Sequence, residues 1–356
     1  MSRFSTPILL LDGGLGTSLE DLHGVEFSEA TPLWSGHLLV SSPSTLQELQ
    51  SAFVSAGADI ILTATYQTSF FGFSNTPRLD GRADVGYSRD EAENYMRSAV
   101  TIARKAVSES GRPDGLLALS LGALGAALIP SQEFTGAYPA QYSHWKGLYD
   151  FHLERIHAFS SDKAIWEQVD IVAFETLPVL REVKAVREVM GELEREGVNP
   201  KKFWISCVFP REDLRLPDGT DVEELVREMM GPGLPQPHAI GLNCTKLFLL
   251  RPLLTQFETA ITSYLPTTTP PNTTAPSLVI YPDGADDLIY NPHTKTWDPV
   301  VAVSGDEGVK KPWDEQVWEI VREVEARGVW GRVLVGGCCK TTPGDIGKLR
   351  VRIDGA

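Results

Sequence analysis

Four cysteines are the residues of this 356-residue chain best suited to chemistry: Cys207, Cys244, Cys338 and Cys339. Cys244 ends the run Gly241-Leu242-Asn243-Cys244-Thr245, and the vicinal pair sits in Gly336-Gly337-Cys338-Cys339-Lys340-Thr341-Thr342-Pro343. Soft thiolates select zinc among common cellular metals, and three protein ligands leave a fourth position for a substrate. A vicinal pair seldom closes on itself as a disulfide, because the linking geometry is strained. The pattern leaves three readings open: metal binding, ordinary buried thiols, and redox or covalent chemistry. Cys207 differs, since it lies inside the apolar run Trp204-Ile205-Ser206-Cys207-Val208 and reads as a small buried hydrophobe.

Two carboxylates stand at comparable places. Asp12 follows Ile8–Leu11 and precedes Gly13-Gly14, whose lack of side chains would allow close ligand approach. Glu175 closes Ile171–Glu175 ahead of Thr176-Leu177-Pro178. Carboxylates in a concave mouth bind an ammonium or act as acid and base; otherwise they cap a loop. None of the seven histidines falls in an H-E-x-x-H or related ligand spacing. His152 and His157 lie in a helical stretch and read as structural groups, and His238 precedes a strand.

The elements that must position these residues alternate along the chain. Strands are expected at Ile8–Asp12, Ile60–Thr65, Gly115–Ser120, Ile171–Glu175, Phe203–Val208, Ala239–Asn243, Leu278–Tyr281 and Arg332–Gly336, short apolar runs typical of strands buried on both faces. Helices are expected at Ser44–Ala56, Arg89–Ser108, His144–Trp166 (with a break), Val179–Glu196, Asp221–Met230, Lys246–Thr262 and Trp313–Arg327, with a small closing one at Pro343–Leu349. Eight such repeats favour a closed (β/α)8 TIM barrel over an open doubly wound sheet. Asp12-Gly13-Gly14-Leu15-Gly16-Thr17 has G-G-x-G spacing, not the dinucleotide pattern, and no P-loop is present. In a barrel the strands ending at Cys244 and at Cys338 have one strand between them, so all three sulfurs can meet at the C-terminal rim. His238 then falls on the opposite face.

Two connections are long. Tyr66–Ser88 carries Phe70, Phe71 and Phe73, and Phe209–Thr220 carries two prolines; both follow strands and belong to the site-bearing face. Leu265–Ser277 is rich in Thr and Pro and reads as a surface loop on the other face. Asn272-Thr273-Thr274 within it matches a glycosylation acceptor by accident of composition.

Lys and Arg total 32 against 47 Asp and Glu, a formal charge of -15, which disfavours a nucleic-acid or anionic-membrane partner. Hydrophobic residues at 42% permit a substantial core. No run approaches the roughly 20 apolar residues of a membrane span, and the N-terminus has no signal-peptide pattern. The expectation is a cytoplasmic protein with reduced thiols. The sequence sets no oligomeric state.

Taken together, these segments resemble the homocysteine S-methyltransferase family, closest in motifs to its S-methylmethionine/S-adenosylmethionine-dependent branch. The resemblance rests on Leu11-Asp12-Gly13-Gly14, Ala56-Gly57-Ala58-Asp59-Ile60, Glu175-Thr176, Gly241-Leu242-Asn243-Cys244 and Gly336-Gly337-Cys338-Cys339 with Thr341-Thr342-Pro343. Leu33-Trp34-Ser35, Thr65-Tyr66-Gln67 and Phe134-Thr135-Gly136-Ala137-Tyr138 match the sulfonium-using branch. It implies residues 1–356 as one homocysteine-binding barrel domain with surface insertions at Tyr66–Ser88 and Leu265–Ser277. It also implies Zn2+ on Cys244, Cys338 and Cys339, the amino group of L-homocysteine on Asp12 and Glu175, Asn243 beside the metal, and Tyr66 and Gln67 near the substrate. Two departures, Leu121-Gly122-Ala123-Leu124-Gly125 after strand three and Pro130-Ser131-Gln132 before Glu133, sit where the methyl donor is expected.

Thiolate ligands suit activation of a sulfur nucleophile better than activation of water. The implied reaction is methyl transfer from S-methylmethionine or S-adenosylmethionine to homocysteine, giving methionine, with aromatic residues near Tyr66–Phe73 facing the sulfonium. Alternatives are a betaine-dependent enzyme, another thiol or selenol methyltransferase, or an inactive zinc-binding interaction protein.

Overall fold

A computed structural model describes residues 8–28, 31–82, 86–268, 275–285, 287–291, 296–299 and 311–355. Eight parallel strands form one sheet: β1 (Ile8–Leu10), β2 (Ile60–Leu62), β3 (Leu116–Gly122), β4 (Ile171–Leu177), β5 (Lys202–Cys207), β6 (Ala239–Asn243), β7 (Ser277–Tyr281) and, after an antiparallel hairpin of β8 (Leu288–Asn291) and β9 (Thr296–Pro299), β10 (Val333–Val335). Neighbours run in the order β1-β10-β7-β6-β5-β4-β3-β2. A parallel bridge from Leu11 to Ile60, with Asp12 N donating to the Ile60 carbonyl at 3.1 Å, joins the two ends. The fold is the (β/α)8 barrel expected from the alternation of elements.

Strand periodicity sorts the side chains into two cores. Leu9, Leu11, Leu116, Ala118, Ile171, Ala173, Trp204, Ala239, Val279 and Leu334 form the cluster inside the barrel. Their strand neighbours Leu10, Leu117, Val172, Phe203, Ile205, Ile240, Leu278 and Val335 pack outward, with the surrounding helices, in a second cluster. The inward parity continues to the C-terminal ends of the strands, where it reaches Ser120, Glu175, Ser206, Asn243 and Tyr281, all buried. The floor of the mouth is therefore polar by register, above layers of aliphatic packing. Cys207 has the outward parity and joins the helix-facing cluster, as expected for a small buried hydrophobe.

The helices fall close to their expected places. Trp313–Arg327 has the expected bounds, and the broken stretch resolves into Trp145–Ser160 and Lys163–Trp166, the second opened by the Asp162 carboxylate accepting from the amides of Ala164 and Ile165. The closing helix, Pro343–Asp354, begins where expected, with a capping box formed by Thr342 and Asp345, and runs on past Leu349. Leu247–Thr268 overruns its expected end and takes in the first residues of the Thr/Pro-rich segment. The rest of that segment, with its glycosylation-like triplet, lies outside the described residues. Leu15–His23, unforeseen, carries Leu15 and Leu19 one turn apart and ends on Gly24, whose φ of 64° gives the left-handed cap. Among the described residues, no helix is long and apolar enough to cross a membrane.

Buried Arg155, on Trp145–Ser160, ties strand ends to the helix layer. Its guanidinium donates to the carbonyls of Gly122 at 2.6 Å, Tyr66 at 2.9 Å and Thr65 at 3.2 Å. His152 on the same helix is fully buried with Nε2 2.9 Å from Glu182, a structural pairing.

Candidate active site

The sulfurs of Cys244, Cys338 and Cys339 meet at the C-terminal mouth. Together with a carboxylate oxygen of Asp283 they form a group whose four ligand atoms all lie within 4.8 Å of one another. Backbone hydrogen bonds from the loop after β7 hold the group together. Cys244 N donates to Tyr281 O at 3.2 Å, Cys338 N to Pro282 O at 2.8 Å, and Gly284 N to Cys339 O at 2.7 Å. Cys244 has a φ of 47°, and Lys340, next to Cys339, 59°. A side chain in the left-handed region costs about 1–2 kcal/mol, a strain found mainly where function fixes the backbone.

The sulfurs of Cys244 and Cys338 touch in a disulfide pairing with Cα atoms 5.6 Å apart, while Cys339 and Cys207 are free. The expected reduced state holds for Cys339 and Cys207 but not for Cys244 and Cys338, whose pairing lies inside the cluster. Reduced, the same group fits a tetrahedral thiophilic ion. Zinc with bonds near 2.3 Å spaces its ligands by about 3.8 Å, within the span observed, and the donors are three sulfurs and one oxygen. Burial, then the nearby charges of Asp283 and Glu133, push the Cys339 thiol well above its ordinary range, while Lys246 pulls the other way. A divalent cation inverts that field and deprotonates a coordinating thiol.

The carboxylates face the same pocket. Asp12, 3% exposed, accepts from Leu62 N at 2.9 Å and so fastens the seam between β1 and β2. Glu175, 4% exposed, accepts from the hydroxyls of Ser120 and Tyr281. Burial pushes Glu175 up to about 7, against the lowering effect of those hydroxyls and of Arg155. Asp12 is raised well above its usual range by burial, offset by the Leu62 amide and reinforced by Glu175. Two desolvated carboxylates that oppose each other's ionisation favour a cation between them. Asn243, on β6, donates Nδ2 to Cys244 Sγ at 3.3 Å and accepts from Thr176 N at 2.8 Å.

The pocket holds about 910 Å³ of space including its open mouth, and Asp12, Tyr66, Gln67, Glu175, Asn243, Cys244, Cys338 and Cys339 all line it. Every residue that the sequence proposed for the site is thus in one cavity. The glycines have a different use from the one expected. A Cβ on Gly13 would meet Thr341 O at 2.8 Å and the Phe53 ring at 2.9 Å, and one on Gly14 would strike the Cys338 carbonyl and Thr17. Their bareness lets the turn after β1 dock on the cysteine turn, where Gly14 N donates to Thr341 O at 3.0 Å.

The homocysteine S-methyltransferase family pattern matches residues 9–353. The chain belongs to the homocysteine S-methyltransferase family. A homocysteine S-methyltransferase of Escherichia coli is 30% identical over 350 residues, covering 97% of this chain and 95% of the relative. The protein YbgG of Bacillus subtilis, a homocysteine S-methyltransferase, is 28% identical over 352 residues, covering 96% and 93%. The crystal structure of E. coli homocysteine methyltransferase MmuM in its metallated form superposes with a TM-score of 0.69 at 27% identity, covering 98% of this chain and 97% of that one. As a member of this family the protein is a methyltransferase.

Within this methyltransferase, one expectation about aromatic residues needs correction. Of the Tyr66–Phe73 group only Tyr66 lines the pocket. Phe73 is fully buried, stacked on Tyr95 at 5.9 Å; Phe70 lies under Arg89, and Phe71 is 59% exposed. The aromatic wall comes from Trp34, Phe134, Tyr290 and Trp297 instead. Tyr290 and Trp297 belong to the β8–β9 hairpin, which sequence reasoning missed; their rings are 5.3 Å apart. Asp283, Ser120, Tyr281 and Glu133 were also missed. The inward parity of β3 and β7 was the available signal for Ser120 and Tyr281. Asp283 and Glu133 lie in irregular segments with no periodicity to place them.

Proposed function

We propose that this protein transfers a methyl group from a sulfonium donor, S-methylmethionine or S-adenosylmethionine, to L-homocysteine, with Zn2+ on Cys244, Cys338 and Cys339. The observation that carries the reading is the shared pocket. Three sulfurs converge on one side, and a pair of buried carboxylates lies within reach of the same space.

Zinc, when bound, supplies the Lewis acidity that favours loss of a thiol proton at neutral pH. The remaining tasks fall to the chain. Asp12 and Glu175 hold the acceptor's ammonium, which orients its side chain toward the sulfurs. Asn243 fixes Cys244 through its amide. In the transfer a carbon–sulfur bond forms on homocysteine as the donor's methyl–sulfonium bond breaks, and the donor's electron pair leaves on a neutral thioether. The thiol proton goes to solvent, and the leaving sulfur needs none. The pocket accordingly works without a histidine acid, and among the described residues no histidine lines it. Trp34 and Tyr66, with ring centroids 6.5 Å apart, offer faces to a cation.

The test is transfer of labelled methyl from a panel of donors to homocysteine by reduced, zinc-loaded protein. Labelled methionine from a sulfonium donor supports the reading. Zinc binding without turnover on any donor overturns it in favour of a binding protein.

A further inference from the structure

Glu133 is an ionisable group whose place in the pocket has no structural explanation, and burial raises its carboxyl to about 7. It is 5% exposed and lines the cavity beside Phe134. Its carboxyl is held by the Ser131 hydroxyl and its own backbone amide, yet Oε2 has no hydrogen-bond partner. A buried carboxylate oxygen left unsatisfied costs stability unless a ligand supplies the missing partner. No arginine or lysine ion-pairs with it among the described residues.

The segment carrying Glu133 is fixed in advance. Gln132 N donates to Gly125 O at 2.8 Å, and Gly136 N to Gln132 O at 2.8 Å. A Cβ on Gly125 would lie 2.5 Å from Glu133 N, so the loop sits directly on the helix start after β3. Glu133 lines the same cavity as Tyr66, Tyr290 on the hairpin and Cys339 in the sulfur cluster. Glu133 thus borders the space between the aromatic wall and the sulfurs, where a methyl donor must lie to reach the acceptor.

We infer that Glu133 is the counter-charge that selects a sulfonium amino acid as methyl donor and rejects betaine. This rests on the methyl-transfer reading above and deepens it. An onium centre brought against the free oxygen satisfies it electrostatically, and ring faces cover its remaining sides. In S-methylmethionine the carboxylate is three carbons from the sulfonium and can point away. In betaine it is one carbon from the quaternary nitrogen, so placing that nitrogen at Glu133 forces two carboxylates together. Specificity arises as much from this repulsion as from the attraction.

The experiment compares S-methylmethionine with homoleucine, its uncharged isostere in which CH replaces the sulfonium, by calorimetric binding to zinc-loaded protein. Wild type is expected to bind the sulfonium more tightly by about tenfold or more, and Glu133→Gln to lose that ratio while keeping its affinity for homoleucine. Glu133→Asp should retain part of the ratio. Zinc content and homocysteine affinity should match wild type in both variants. An unchanged ratio in Glu133→Gln, or no preference for charge in wild type, overturns the inference. If homocysteine binding and turnover are normal in that case, the methyl-transfer reading stands; if wild type transfers no methyl from any donor, both fall.

Discussion

Asn243 spans the mouth of the barrel to Thr176, accepting from its backbone amide at 2.8 Å and donating to its hydroxyl at 2.7 Å. Asn243 ends strand β6 and Thr176 is the last residue but one of β4, two strands that are not neighbours in the sheet. Thr176 holds a φ of 58° and Cys244, next to Asn243, one of 47°. One amide side chain therefore locks two strained strand ends and presents its Nδ2 to a sulfur of the cluster.

Asn243→Ala should destabilise the fold by about 2–4 kcal/mol, since two buried polar groups of Thr176 lose their partner. A lowered thermal midpoint together with weaker zinc retention during chelator titration is expected. A midpoint equal to wild type would show that the clasp contributes nothing.

Each of Cys244→Ser, Cys338→Ser and Cys339→Ser should remove most bound zinc and nearly all methyl transfer, because a hydroxyl is a poor replacement for a thiolate on a soft site. Cys207→Ser should keep full metal content, since its side chain packs with the helices. Metal analysis of reduced, zinc-exposed protein measures both.

Glu175 supplies a pH dependence of known sign. In the unfolded chain it ionises near 4.5, whereas burial in the fold holds it protonated up to about 7. The folded state carries the extra proton in that window, so this group's contribution to stability declines as pH rises from about 4.5 to about 7. Its affinity for an ammonium runs the other way, because only the carboxylate pairs. Apparent affinity for homocysteine should improve as pH climbs through about 7. Glu175→Gln should weaken binding and flatten that slope without changing zinc content.

Gly14→Ala should perturb the metal site from the opposite side of the turn. The added Cβ would strike the Cys338 carbonyl and lie 2.6 Å from Thr17 Oγ1, so the cysteine turn has to move. Reduced zinc affinity with an unchanged circular-dichroism spectrum is expected. Wild-type zinc affinity would mean that the turn yields elsewhere.

The two aromatic assignments separate cleanly by kinetics. Trp34→Ala should raise the donor KM by about tenfold, in the range of a lost cation–π contact with its packing. Phe71→Ala, on an exposed side chain outside the pocket, should leave donor KM at the wild-type value.

All eight barrel strands, and most helices, were legible because buried parallel strands read as short apolar runs and amphipathic helices as periodic ones. The sulfur cluster followed from topology, since Cys244 and Cys338 close strands separated by one other. Asp12 and Glu175 were legible as acidic residues closing apolar runs. What stayed hidden has physical causes. The β8–β9 hairpin is short and outside the barrel repeat, so its Tyr290 and Trp297 gave no periodic signal. Phe73 looked like a loop aromatic but packs against Tyr87 and Tyr95, a contact between segments that local sequence does not encode. The glycines after Asp12 were read as room for a ligand, whereas the space is taken by Thr341 and Cys338, at the far end of the chain and so out of reach of local sequence.

The hairpin has two moorings, each next to a sulfur. Lys246, two residues beyond Cys244, donates to the carbonyls of Ala285 at 2.6 Å and Leu288 at 2.7 Å, and Lys340, adjoining Cys339, sits 5.7 Å from the centre of the Trp297 ring. Tyr290 and Trp297, which line the pocket, are therefore fastened through these two lysines to the very segments that carry Cys244 and Cys339.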